Sequence, residues 1–262
     1  MKLEIIDIKD RKAKFVLSEV TPAFANSLRR AMISDVPKMA IDYIDLYDNT
    51  SVLFDEMLSL RMGLIPLKTN ADMYRFRKDC DCNGAGCALC QVSLTLSAEG
   101  PCVVHSRDLK SSDPEVVPAD QNVPIVELKA GQKVVLTAVA RLGTAKEHAK
   151  FQPVCASGYK NLPVITISEK CDLCKACVDV CPRGVFKVEK GKLVVNDIFK
   201  CSMCKLCTEA CDAGAITVDA EDKTFIFTVE TDGSYSGHDM VLSAAKSIKA
   251  KADQLSGIMD AF

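Results

Sequence analysis

The sequence predicts an α+β chain, and three observations carry that expectation. Val92, Leu94 and Leu96 alternate with polar residues, as do parts of Lys133–Arg141, the period of half-buried strands. Apolar residues at helical spacing stand near both ends, over Thr21–Ile33 and over 237–262. Toward the C-terminal side a run of four cysteines occurs twice, thirty residues apart, each run followed by a short apolar stretch. The length, 262 residues, suits two or three domains, and 48% hydrophobic residues support a sizeable core. No run of eighteen apolar residues exists, so no membrane span is expected. The opening MKLEIIDIKDRKAKF is charged and strand-like, unlike a signal peptide. The 33 basic and 35 acidic residues nearly balance, at a formal charge of −2. That balance argues against a large basic surface, and no direct sequence-specific nucleic-acid binding is expected.

The elements follow in order. Leu3, Ile5 and Ile8, then Ala13, Phe15 and Leu17, read as two short strands separated by Lys9–Lys12. A helix should follow, with Thr21 as N-cap and Pro22 at its first position. Phe24, Leu28 and Met32 recur on one face, and Pro37 should end the helix by pushing Val36 out of the α region. Residues 40–165 read as mainly β, with one short helix near Phe54–Met62. Val185–Val188 and Leu193–Val195 flank Lys190-Gly191 as a hairpin, while Ala215–Val218 and Thr224–Val229 read as strands joined by Ala220–Lys223. In the last segment Val241, Ala245, Ile248, Ala252, Leu255, Met259 and Phe262 alternate spacings of four and three, a heptad seam that needs a surface to pack against.

Cysteine usage is the strongest chemical signal. Fourteen cysteines in a chain of this size read as metal ligands in a reducing compartment, which points to the cytoplasm. Cys171, Cys174, Cys177 and Cys181, then Cys201, Cys204, Cys207 and Cys211, make C-x2-C-x2-C-x3-C twice. This is the ligand run of a bacterial-ferredoxin-like module with two [4Fe–4S] clusters, in which the fourth cysteine of each run serves the other cluster. Cys171, Cys174, Cys177 and Cys211 are therefore expected to hold one cluster, and Cys201, Cys204, Cys207 and Cys181 the other. Disulfides or zinc ribbons fit less well, because zinc sites favour two separated pairs over triplets. Cys80, Cys82, Cys87 and Cys90, with Gly84 and Gly86 for the turn, could close a tetrahedral Zn²⁺ site. An empty or disulfide-bonded loop is the alternative. Cys102 and Cys155 read as small buried residues.

Catalytic signatures are missing. There is no phosphate loop, no dinucleotide fingerprint and no aspartate cluster suited to two magnesium ions. His105, His148 and His238 read as structural or solvated. No catalytic residue is therefore assigned. An electron-transfer protein feeding a partner oxidoreductase would also explain two clusters. It leaves three stretches without a role: Asn26–Pro37, Asp55–Leu67 and Ala145–Pro153.

Those three stretches, NSLRRAMISDVP, DEMLSLRMGLIPL and AKEHAKFQP, resemble the assembly-platform subunits of multisubunit RNA polymerases. That family includes the bacterial alpha subunit's N-terminal domain and its archaeal and eukaryotic counterparts. With a cysteine module near the C-terminus, the chain is most similar to the archaeal branch of the family. The resemblance implies a discontinuous dimerisation domain, 1–39 with 221–262. It implies an inserted mainly-β domain at 40–165, carrying the cysteine loop 80–90, and a ferredoxin-like domain at 166–220. It further implies a non-catalytic subunit of DNA-directed RNA polymerase that pairs with the small subunit L and nucleates binding of the large catalytic subunits. Its clusters would be structural or redox-sensing. Partner-binding residues would be Phe24, Leu28, Arg29, Arg30 and Met32 on the first helix, and Val241, Ala245, Ile248, Ala252, Leu255 and Met259 on the last. Arg29 and Arg30 would meet carboxylates of a large subunit, the alternative being a solvated helix face. Eukaryotic counterparts carry a similarly placed zinc loop with slightly different spacing.

Overall fold

The computed structural model describes residues 1–261. Strands β1 (Lys2–Ile8) and β2 (Lys12–Ser18) are joined by a tight turn in which Lys9 and Lys12 exchange backbone hydrogen bonds. Helix α1 (Pro22–Ser34) begins as its sequence requires: Thr21 Oγ1 accepts from the Phe24 amide at 3.3 Å, and Pro22 occupies the first helical position. There follow β3 (Lys38–Asn49), α2 (Asp55–Gly63), β4 (Gln91–Glu99), β5 (Cys102–His105), β6 (Lys110–Ser111), β7 (Pro124–Leu128), β8 (Lys133–Gly143) and β9 (Val154–Ile167). The remainder comprises α3 (Ala176–Val180), β10 (Phe186–Glu189), β11 (Lys192–Val195), α4 (Leu206–Glu209), β12 (Ile216–Thr231) and α5 (Gly237–Met259).

The strands form four sheets among the described residues, ordered β1-β2-β12-β9, β3-β8-β4-β6, β5-β7 and β10-β11. The chain is thus mixed α/β. Pro163 sits in β9, an edge strand, where a missing N–H can be tolerated. One expected turn is absent. β12 runs unbroken for 16 residues, through the Ala220–Lys223 stretch read from sequence as a connection. Ile216–Thr231 contains neither glycine nor proline, so nothing in it forces the backbone to reverse.

The chain divides into two units. One comprises Met1–Ile6, Lys14–Asn26 and Gly158–Thr228. Phe15 and Phe227 stack in it with ring centroids 5.0 Å apart, and Tyr159 meets Phe225 edge-on at 5.4 Å. A second cluster of buried residues there gathers Val185, Phe186, Ile216 and Val218 around Cys177, Cys201 and Cys207. The β10–β11 hairpin turns through Lys190 and Gly191, both at positive φ, as the Lys-Gly pair requires.

The other unit comprises Asp7–Ala13, Ser27–Ser157 and the segment from Val229 onward. β8 pairs antiparallel with β3 on one side and β4 on the other. Their inward residues, including Met39, Ile41, Leu94, Leu96, Leu136 and Leu142, form the core together with Leu58 and Met62 of α2. Segments far apart in sequence also close on one another here. The Thr231 amide donates to Arg11 O at 2.9 Å, Gly237 N to Asp10 O at 2.8 Å, and Tyr235 Oη to Pro37 O at 2.6 Å. Gly237 permits this approach, because a Cβ there would lie 2.6 Å from Lys12 O. Lys38 Nζ pairs with Asp232 while also donating to Gln152 O at 3.1 Å, and the side chains of the pair are 5% and 15% exposed. At the surface Asp35 receives both Lys146, at 2.7 Å, and Lys251.

A nearly dry ion pair is costly to break from one side. Lys38→Met should therefore destabilise this unit by about 3–5 kcal/mol, and Lys38→Met with Asp232→Leu should recover most of the loss. Denaturant unfolding checks both. A single-variant loss below about 1 kcal/mol would mean that the pair behaves as a surface bridge.

Candidate metal centres

Two loops in the first unit repeat one another in backbone as well as sequence. In the first, Leu173 and Lys175 have φ of +62° and +66°; in the second, Met203 and Lys205 have +56° and +62°. α3 and α4 start directly after Lys175 and Lys205. Past the fourth cysteine of each run, Gly184 and Gly214 both have φ of +58°. Their amides donate to the carbonyls of Cys181 and Cys211, while the Val185 and Ala215 amides approach the Cys181 and Cys211 sulfurs at 3.5 and 3.2 Å. Left-handed residues alternating with right-handed ones turn successive N–H groups toward a common centre, a cradle for anionic sulfur or phosphate.

Each cradle opens on a pocket. One is lined by Cys171, Cys174, Cys177 and Cys211, the other by Cys201, Cys204, Cys207 and Cys181. The pockets match in size, each a small cavity of about 10 Å³. Each therefore joins three cysteines of one run to the fourth of the other. Burial pushes the Cys177 and Cys207 thiols up, and neighbouring cysteines add to this, so these sulfurs ionise readily only beside a compensating cation. Soft thiol donors, three of the eight buried, and amides directed at sulfur fit an iron–sulfur group near the surface. Lys160, on β9, was not singled out from sequence. It stands eleven residues before Cys171, yet its Nζ donates to the carbonyls of Phe199 at 2.8 Å and Cys201 at 2.5 Å.

The loop of Cys80, Cys82, Cys87 and Cys90 has different geometry. All four sulfurs lie within 4.8 Å of one another. Cys80–Cys87, Cys82–Cys90 and Cys87–Cys90 are 3.5, 3.7 and 3.9 Å apart. Four sulfurs at about 2.3 Å from one tetrahedral zinc stand about 3.8 Å apart, whereas a disulfide needs about 2.05 Å. All four are free thiols. Gly84 and Gly86 turn the loop at φ of +81° and +94°, and Arg77 Nε ties it by donating to Gly84 O at 2.9 Å. A hydrogen bond from the Gly86 backbone, with help from the neighbouring thiols, brings Cys82 down to about 6. Burial pushes Cys90 up to about 12. One thiol is thus ready to ionise at neutral pH while its neighbour waits for a cation, which suits the donor set to zinc.

The helix residues expected at a partner surface divide. Leu28 and Met32 are buried within the chain, at 6% and 0% exposure, so they are not offered to a partner; of that face Phe24 reaches the surface. The spacing of apolar residues identifies a shared face but not what covers it. Arg30 is exposed, and Arg29 is half-buried with interactions inside the chain. On α5, Gly237, Met240 and Ala244 are buried. Val241 and Ile248 are half-buried, and Ala245 and Ala252 are exposed. Leu255 and Met259 are 62% and 64% exposed, and every residue from Lys249 to Ala261 faces outward. Phe262 lies outside the described residues. Cys102 and Cys155 are exposed, contrary to the expectation that they are buried.

The other two sequence stretches meet at one groove of about 450 Å³, lined by Ile44, Ser59, Leu60, Leu64, His148 and Lys150 among others. Beneath it Asp42 accepts from Arg141 Nε at 2.7 Å and Lys150 Nζ at 2.9 Å, while Arg141 also reaches Glu147 at 3.0 Å. Burial alone would raise the Asp42 carboxyl. Arg141 and Lys150 outweigh it and hold the group below the usual carboxylate range.

Comparison with known proteins decides the family. Residues 14–252 match the RNA polymerase Rpb3/Rpb11 dimerisation domain. The DNA-directed RNA polymerase subunit Rpo3 of Methanosarcina acetivorans is 55% identical over 99% of this chain and 98% of its own length. That of Archaeoglobus fulgidus is 46% identical over 99% and 98%, and that of Picrophilus torridus 36% over 97% of both. The chain belongs to the archaeal Rpo3 family. An Rpo3 chain is a non-catalytic, Rpb3/Rpb11-type assembly subunit of DNA-directed RNA polymerase, which accounts for the lack of catalytic signatures. Within this Rpo3 chain the family match spans both twin loops and the cysteine loop.

The loop at 80–90 gives the sharpest chemical test. One zinc per chain should be released when a mercurial titrates the thiols, and Cys90→Ser should lose it while any metal of the twin loops is unaffected. Zinc and iron analysis of both proteins checks this. Wild-type protein purified without zinc and still melting at the temperature of the zinc-loaded form would remove the site.

Proposed function

We propose that this chain is the assembly platform of an archaeal RNA polymerase, pairing with the small subunit L and then recruiting the large catalytic subunits. The observation that carries the reading is α5: a helix in a chain of the dimerisation family whose last three turns are exposed and bear Leu255, Ile258 and Met259. A monomer gains nothing by holding such residues in water, and a partner helix would cover them. The closure of 7–13, 27–38 and 229–251 on one another supports a discontinuous dimerisation domain, 1–39 with 221–262. The domains inserted between its halves are then 40–165 and 166–220. The groove under α2, where DEMLSLRMGLIPL meets AKEHAK, suits a large subunit. No helix among the described residues is long and apolar enough to cross a membrane. The proposed polymerase role and the cysteine usage put the site of action in the cytoplasm.

The same proposal assigns the cofactors. Cys171, Cys174, Cys177 and Cys211 hold one [4Fe–4S] cluster, Cys201, Cys204, Cys207 and Cys181 the other, and Cys80, Cys82, Cys87 and Cys90 hold Zn²⁺. The clusters knit the module together and make its folding depend on iron. All eight cluster ligands fall within residues 171–211, and neither α1 nor α5 supplies one. Loss of the clusters should therefore spare the heterodimer and weaken the later joining of the large subunits.

Two experiments test the proposal. Leu255→Asp with Met259→Asp alters exposed residues only, so the chain should fold. Full burial of each is worth about 1.5–3 kcal/mol, and co-purification with the small partner should fall by roughly a hundredfold or more. Recovery of partner at wild-type yield would place the interface elsewhere. Anaerobically prepared protein should carry about eight irons and eight sulfides, and Cys201→Ser should lose about half of each. Four irons in the wild type, none of them lost in Cys201→Ser, would overturn the two-cluster assignment.

A further inference from the structure

The twin cysteine sites are copies in backbone but not in charge. With the runs superposed by their cysteines, Asp172 stands opposite Ser202, Val178 opposite Thr208, Asp212 opposite Pro182 and Ala213 opposite Arg183. Lys175 and Lys205 match and so favour neither site. Asp172 lines the pocket of Cys171, Cys174, Cys177 and Cys211. Ser202 and Arg183 line the pocket of Cys201, Cys204, Cys207 and Cys181. Among the described residues no ammonium is bonded to the Cys171 carbonyl as that of Lys160 is to Cys201 O. Held by the carbonyls of Phe199 and Cys201, its ammonium is fixed at the first ligand of the second site. Lys14 lies over the Phe199 ring at 5.5 Å, adding a further cation nearby. Asp197, a carboxylate on this side, is engaged by the Phe199 amide at 3.0 Å and by Lys200 at 3.7 Å, while Glu209 is matched by Asp179 in the other run. Thr208 supplies the last difference. Its Oγ1 is buried without a hydrogen-bond partner, next in sequence to Cys207, where Val178 beside Cys177 carries no hydroxyl.

We infer that Lys160 and Arg183 raise the one-electron reduction potential of the site formed by Cys201, Cys204, Cys207 and Cys181 above that of its twin. This rests on the two-cluster reading proposed above. Reduction by an external one-electron donor, dithionite in the titration below, adds one electron and one negative charge to the site, and makes or breaks no bond. Positive charge held close by and hydrogen bonds to sulfur favour that added charge, and the carboxylate of Asp172 opposes it. The first electron therefore settles on the second site, and the pair is polarised: one site accepts, the other resists. Lys160 and Arg183 act as positioning charges; neither is a ligand.

The test is a potentiometric titration of anaerobic holo-protein, followed by electron paramagnetic resonance, with iron and sulfide counted in every sample. Two separate one-electron steps are expected. Lys160→Met and Arg183→Gln should each lower the upper step by about threefold to tenfold in its reduction equilibrium, tenfold being about 59 mV for one electron. The lower step should stay in place. Lys160→Arg should restore the wild-type separation, and Asp172→Ser should raise the lower step alone. Arg183 is exposed, so Arg183→Gln decides the matter even if Lys160→Met loses iron. Coincident steps at about eight irons, or variants that move both steps equally, would overturn this inference and leave the two-cluster reading standing. Only four irons in the wild type would overturn both.

Discussion

The pairing of Lys38 with Asp232 is the contact on which one whole unit depends. The two residues are 194 positions apart, and almost everything between them is an excursion that must return. Both are nearly dry, so each is costly without the other. Asp232 also accepts from the Ser234 amide at 2.9 Å and the Ser234 hydroxyl at 2.6 Å, and Lys38 donates onward to Gln152 O. Such a pair contributes less to net stability than to uniqueness. It sets where β3 begins relative to the approach of α5, and the Asp35 contacts with Lys146 and Lys251 repeat that choice at the surface. The direction in which the free end of α5 projects follows from this closure.

The two kinds of cysteine site differ in the room they leave. At 80–90 the sulfurs touch one another, which leaves space at their centre for a single ion. In the twin loops the four sulfurs of each set do not close on one another but line a pocket, with the Val185, Met203 and Ala215 amides directed at sulfur. Spacing in the sequence accounts for both outcomes. All three runs span eleven residues, so internal order and not length separates them: the compact loop folds back at Gly84 and Gly86, whereas each twin loop gives its fourth cysteine to the other pocket.

Much of this was legible in the sequence. The Thr21-Pro22 pair marks the start of α1 because capping is local chemistry, and Lys190-Gly191 marks its hairpin for the same reason. The pairing of three cysteines with a distant fourth follows from how far a short loop can reach. Other features depend on what lies across from a residue, which sequence periodicity does not state. Leu28 and Met32 share a face with Phe24, yet the first two turn inward and the third does not. Cys102 and Cys155 are apolar enough for a core but fall on outward positions. Lys160 is one lysine among many in the sequence, and only the course of β9 brings it beside Cys201. The continuity of β12 was legible in principle, since a stretch without glycine or proline gives a chain little cause to turn.

Four residues of the twin loops, Leu173, Lys175, Met203 and Lys205, hold a left-handed backbone that side chains with a Cβ resist. The cost is roughly 1–2 kcal/mol for each, so together they approach the whole stability of a small domain. Leu173, Lys175 and Lys205 are exposed, and by their surroundings alone they would pass as freely variable surface positions. The backbone denies them that freedom. Glycine or asparagine can replace any of the four with relief of strain, whereas valine, isoleucine or threonine is shut out by crowding at the β carbon. Sequence drift in these loops is therefore confined by torsion angles as tightly as the cysteines are by their chemistry.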